Sequence, residues 1–184
     1  MRNNTKKLVT MSILAAMSIL LVSFIHFPII PAAPFLEYDP ADVPILIGTF
    51  MYGPVAGLVI TVVASLVQAM TVSAGSGWVG FVMHVIATGT LVLVAGSVYK
   101  IRHTFKGAIV GLALGTLAMT AVMIPANLFF TVKFWGTPYQ AVKNMLVPAI
   151  IPFNLLKGFI NSMITIIIYK YIAEFLRDSI KMQG

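Results

Sequence analysis

Lys157 is the one charged side chain deep inside an apolar run of this chain, and Asn154, Asn161 and Thr165 are spaced to share its helical face. At 100° per residue these positions fall within an arc of about 80°, so a helix presents them as one narrow stripe. A charge near the centre of a helix in lipid costs at least about 2.5–3.5 kcal/mol, so it turns toward a bundle interior and marks a functional path. An ammonium supplies three donors and a carboxamide supplies both donors and acceptors, a set suited to fixing a small guest in an apolar slot. The bland alternative has Lys157 snorkelling to the outer headgroups while the Asn residues bond neighbouring helices and Thr165 packs. Asn127, on a different apolar run, tips the balance toward a cavity. It lies beside Pro125, whose ring removes a backbone donor and frees the carbonyl of Ala121. His84 reads equally as a satisfied interior histidine or a pocket wall, and His26 and His103 read as interfacial.

Other chemistries are missing. There is no G-x-x-x-x-G-K-[ST] for ATP, no H-E-x-x-H and no Ser/His/Asp set with helical spacing, so neither catalytic nor metal-ligating residues are expected. With 0 cysteines, disulfides and thiolate sites are excluded. No paired acids lie inside the spans and none lies deep in an apolar run, so no proton relay or cation carboxylate site is evident and active uptake needs a partner. The acids Glu37, Asp39 and Asp42 read as loop residues without a basic or metal-ligating companion. Asp42, just before Val43-Pro44, reads most simply as an N-cap, while Tyr38 and Asp39 are candidates to cover a pocket mouth.

The elements that position these groups follow from composition. The 184 residues are 59% hydrophobic and 9% charged, with a mean hydropathy of +0.98. A water-soluble globule is excluded. The net charge of +7 does not point to nucleic acid, because no basic patch with interleaved aromatics stands outside the apolar runs. Helices are expected over 8–27, 43–52, 54–72, 78–99, 107–131 and 150–176, with an external lid loop over 28–42 that holds four prolines. The first run is read as a retained helix, since it is longer than a signal-peptide core and lacks a small-residue cleavage site. The run from Val43 to Thr71 is either one kinked helix or two helices meeting at Gly53-Pro54.

Charge decides between them, because Lys and Arg concentrate on the cytoplasmic side. Six spans put Arg2, Lys6, Lys7, Lys100, Arg102, Lys106, Lys170, Arg177 and Lys181 inside and only Lys133 and Lys143 outside, whereas five spans divide the charges almost evenly. The expected fold is therefore all-α: a single-domain, polytopic six-transmembrane-helix bundle with both termini cytoplasmic. In that topology Lys157 and Asn127 lie about 7.5 and about 6 Å below the outer helix ends, with Gln68 and His84 also in the outer third. Gly107, Gly111 and Gly115, four apart on one face, read as a close helix contact.

The segments F-L-E-Y-D-P-A-D-V-P-I-L-I-G (35–48), Y-G-P-V-A-G (52–57) and P-F-N-L-L-K-G (152–158), with Asn161-Ser162, closely resemble the riboflavin-binding S-components of bacterial energy-coupling factor (ECF) transporters. The resemblance covers nearly the whole chain. It implies a six-helix bundle in the bacterial cell membrane, with riboflavin, or FMN as an alternative, as transported substrate and no cofactor. By motif position the polar ligand contacts fall on Asn127, Asn154 and Lys157, with Tyr38 and its neighbour Asp39 as lid; His84 and Asn161 complete the candidate set. It further implies docking onto a transmembrane coupling subunit with two ATPases, which alone use ATP. The docking motif, small-x-x-x-small on the first helix, is met by Ser12 and Ala16 with Ala15 beside them. The rival readings are an S-component for thiamine or biotin, a membrane-embedded enzyme, or a scaffold without substrate.

Overall fold

The computed structural model describes the backbone of residues 2–31 and 33–181 and the side chains of 4–31 and 33–171. The side chains of Arg2, Arg177 and Lys181, counted above among the inner charges, lie outside the described residues.

Helix α1 (Arg2–Phe24) contains no proline and no acid. The prolines that follow forbid a helix, and the chain instead forms a small antiparallel ribbon in which β1 (Phe27–Pro28) pairs with β2 (Glu37–Tyr38), Phe27 opposite Tyr38. Helix α2 (Asp42–Tyr52) stops at Gly53, whose φ of 91° suits a residue without Cβ. Helix α3 (Pro54–Met70) starts on Pro54, where a missing N–H costs nothing. After a 3₁₀ turn at Ala74–Ser76 comes α4 (Gly77–Ile101). Helix α5 (Phe105–Trp135) opens with the Thr104 hydroxyl accepting from the Gly107 N–H at 3.0 Å, runs through Pro125, and ends at Gly136 in the left-handed region. The polar segment after it carries a short helix, α6 (Tyr139–Met145). A π-helical turn at Leu146–Ile150 then leads into α7 (Ile151–Lys181).

Four stretches are long and apolar enough to cross a membrane: Asn4–Phe24, Ala74–Ile101, Phe105–Trp135 and Tyr139–Tyr171, the last including α6; α2 and α3 are shorter apolar helices. Their inner faces meet in a core that includes Leu14, Ile45, Leu46, Ile60, Leu91, Leu112 and Met119. Helices α4 and α5 approach closely because Gly111 and Gly115 lie against the backbone of Ala95 and Leu91. A Cβ on either glycine would come within 2.8 Å of a carbonyl oxygen. Outward, large apolar side chains such as Leu8, Val59, Leu117 and Phe159 are exposed. Such a surface is matched by acyl chains rather than water.

Candidate functional site

The ribbon sets Tyr38 and Asp39 over the end of the bundle, and α7 supplies what they bind. The Lys157 ammonium donates to Asp39 Oδ2 at 2.7 Å. Asn161, one turn further along α7, donates from Nδ2 to the Asp39 carbonyl at 3.1 Å and to Asp42 Oδ2 at 3.0 Å, and its Oδ1 accepts from the Tyr38 hydroxyl at 2.9 Å. Thr88 on α4 donates to Asp42 Oδ1 at 2.7 Å, and His84 Nε2 stands 3.7 Å from the same oxygen. The Ser65 hydroxyl of α3 lies 2.6 Å from His84 Nδ1. Ser18 of α1 closes the seam, donating to the Ala41 carbonyl at 2.7 Å. One connected polar set thus ties the loop to α1, α4 and α7 and reaches α3. Asp42 and Asn161 are fully buried in it (0% exposed). Buried polar groups persist only when so paired.

Charge balance explains the Asp39 carboxyl. Burial alone would raise its pKa, but the nearby Lys157 ammonium, helped by His84 and by the hydrogen bonds from Lys157 and the Ala41 N–H, holds it below the ordinary carboxylate value. The Tyr38 hydroxyl is shifted up, first by burial and then by the charges of Asp39 and Asp42.

Beneath the loop lies a cavity of about 190 Å³. Phe81, Met83, Ala87, Met119, Met123 and Phe153 give it apolar walls, and Trp135 lies at its edge. Its polar contributors include Asp39, Ser65, Gln68, His84, Asn154 and Lys157. A flat apolar body with a polar edge is the guest such a lining favours.

Of the sequence candidates, Asp39, His84, Asn154 and Lys157 line this cavity, while Tyr38 and Asn161 brace its lid-side wall. Asn127 does not line it. It is buried on α5, donating to the Met123 carbonyl at 2.8 Å and accepting from Thr131 at 3.4 Å, and Met123 holds the wall position instead. Asn154 likewise donates to the carbonyl four residues back, Ile150, at 2.8 Å. Ser12 and Ala16 lie on the exposed face of α1, whereas Ala15 is turned into the core.

Two expectations are corrected. Asp39 and Asp42 are buried rather than solvated, and Asp39 does have a basic companion, because the ribbon folds the loop inward onto α7. Asp42 does not cap α2: it is the first helical residue, Ala41 precedes it without a side-chain cap, and the carboxylate bonds across to Thr88 and Asn161. His26 is exposed and lines the cavity. Residue-by-residue reading missed Thr88 and Ser65. The available signal was that Thr88 stands one turn from His84. Among the described residues no group of three His, Cys, Asp or Glu side chains could hold a metal ion.

The family model for the substrate-specific component of ECF transporters matches residues 6–169. The chain belongs to this family. Among the relatives of this S component, the riboflavin transporter RibU of Staphylococcus aureus is 35% identical over 178 residues, covering 94% of this chain and 93% of the relative. The riboflavin transporter FmnP of Bacillus subtilis is 31% identical over 172 residues, covering 89% and 90%. A solved S component of a bacterial ECF transporter superposes with a TM-score of 0.82 at 36% identity, covering 94% of this chain and 98% of that one. The named relatives are transporters, and this S component is a transport protein of the membrane rather than an enzyme.

Proposed function

We propose that this S component captures riboflavin at the outer face of the bacterial cell membrane and delivers it with an ECF module whose ATPase subunits power release. The observation that carries this reading is the Asp39–Lys157 pair, which holds a donor-rich ammonium at the wall of an apolar cavity directly beneath a loop that can cover it. Riboflavin has a flat apolar ring system, a polar pyrimidine edge and a chain of hydroxyls. Phe81, Phe153 and Trp135 suit the rings, and Lys157, Asn154 and Gln68 suit the polar edge and the hydroxyls. The family relatives named as riboflavin transporters support this substrate over thiamine or biotin. Asn127 takes part by fixing the Met123 turn of the wall, and Tyr38, Asp39, Asn161 and His84 by holding the lid and Lys157 in register.

In this reading the chain is one domain of six spans, the shorter α2 and α3 counted among them, and both termini are cytoplasmic. The charge distribution supports that orientation. The exposed Ser12–Ala16 face of α1 is the docking face for the coupling subunit, since small residues admit close helix approach. The test is equilibrium titration of the ligand-stripped protein with riboflavin, FMN and thiamine, following tryptophan quenching. Saturable quenching by riboflavin and none by thiamine is expected; the reverse order would overturn the assignment.

A further inference from the structure

At the opposite end of the bundle, the start of α1, the turn between α2 and α3, and the end of α4 enclose a second cavity of about 480 Å³. Lys7, Lys100 and His103 stand around it, and Tyr52 and Tyr99 contribute to its wall. The aromatic rings position the basic groups. Lys7 Nζ lies 5.7 Å from the centroid of the Tyr52 ring, and the His103 ring packs 4.5 Å from that of Tyr99. Tyr99 is itself fixed by a 2.6 Å hydroxyl–hydroxyl hydrogen bond to Tyr169.

The positive charge here has no protein counterpart among the described residues. Their ion pairs are Lys157–Asp39 and His84–Asp42, both at the other end. Cations gathered around a concavity focus a field that attracts an anion. The same cavity is bordered by Met51 and Val55, which are 53% and 71% exposed, so a ligand seated there meets apolar surface as well as charge. A free phosphate would leave that apolar border unused, whereas a lipid uses both.

We propose that this cavity binds the phosphate of an anionic phospholipid headgroup, with Lys7 and Lys100 as its cationic contacts and the acyl chains running along Met51 and Val55. Basic pockets between membrane helices recognise such headgroups, and a lysine ammonium serves a phosphate as a mobile point charge. The inference is independent of the substrate taken at the Lys157 cavity.

The test is native mass spectrometry of the delipidated full chain in detergent, titrated with dioleoylphosphatidylglycerol, dioleoylphosphatidylcholine or inorganic phosphate. The anionic lipid should bind in preference to the zwitterionic one, and K7Q/K100Q should weaken that preference by roughly 30-fold. K7R/K100R should retain it, as should K133Q/K143Q at the other end, with helicity by circular dichroism unchanged in all variants. Equal binding of the two lipids, or the same loss in K133Q/K143Q, would overturn the site. Displacement of the anionic lipid by an equimolar amount of inorganic phosphate would overturn its lipid assignment.

Discussion

Lys157 has two duties that a single substitution confounds. Its ammonium neutralises the buried Asp39 carboxylate and also faces the cavity. Removing one member of a buried pair strands the other at a cost of about 3–5 kcal/mol, whereas removing both is often tolerated. Lys157→Met is therefore expected to lower the melting temperature sharply and to weaken riboflavin binding. Adding Asp39→Asn should recover most of the melting temperature and none of the affinity, as read by thermal unfolding and flavin titration on the same preparations. Recovery of both would leave Lys157 with a purely structural role. The candidacy of Lys157 was legible in the sequence because a charge inside an apolar run has few ways to exist. Its partner was not, since Asp39 lies 118 residues away and looks like any loop acid until the ribbon folds it inward.

The loop and the helix ends behave as one element because Asp39, Asp42 and Asn161 bind across them. The Asp39 carboxyl has a folded pKa below its ordinary value, so the stabilisation it provides is complete above that ordinary value and disappears as pH falls through the lowered one. The difference in melting temperature between the protein and Asp39→Asn should accordingly stay constant from pH 8 to pH 5 and close only in stronger acid. A difference that closes between pH 7 and pH 6 would show instead that the nearby His84 controls the seam. Pro28, Pro31, Pro34 and Pro40 exclude a continuous helix between α1 and α2, and Gly53-Pro54 marks the place where α2 gives way to α3. Neither signal carries information about burial. Asp42 illustrates the gap: an acid ahead of a first-turn proline fits a cap locally, and only the arrival of α4 and α7 offers it Thr88 and Asn161.

For the whole molecule, orientation is the quantity that amino-acid content constrains best. Helix packing inside a bilayer gains little from burying apolar surface, so hydropathy marks the spans without saying which faces meet. Basic residues at the ends carry the sidedness. Because the chain has 0 cysteines, single replacements report cleanly. In right-side-out vesicles a membrane-impermeant maleimide should label Gln140→Cys at once and His103→Cys only after permeabilisation; the opposite pattern would invert the topology. Which residues line the cavity was harder to read. Asn127 has the right depth along α5, yet its side chain bonds within its own helix and leaves the wall to Met123.

Trp78 and Trp135 sit at the same end as the Lys157 cavity, Trp78 packed edge-on to Phe134 at 4.6 Å and Trp135 at the cavity edge. The chain has 2 tryptophans in all. Its tryptophan emission, excited where tyrosine does not absorb, is thus a one-sided gauge: it registers what enters under the lid, while events around Lys7 and Lys100 escape it and call for a fluorophore placed there on purpose.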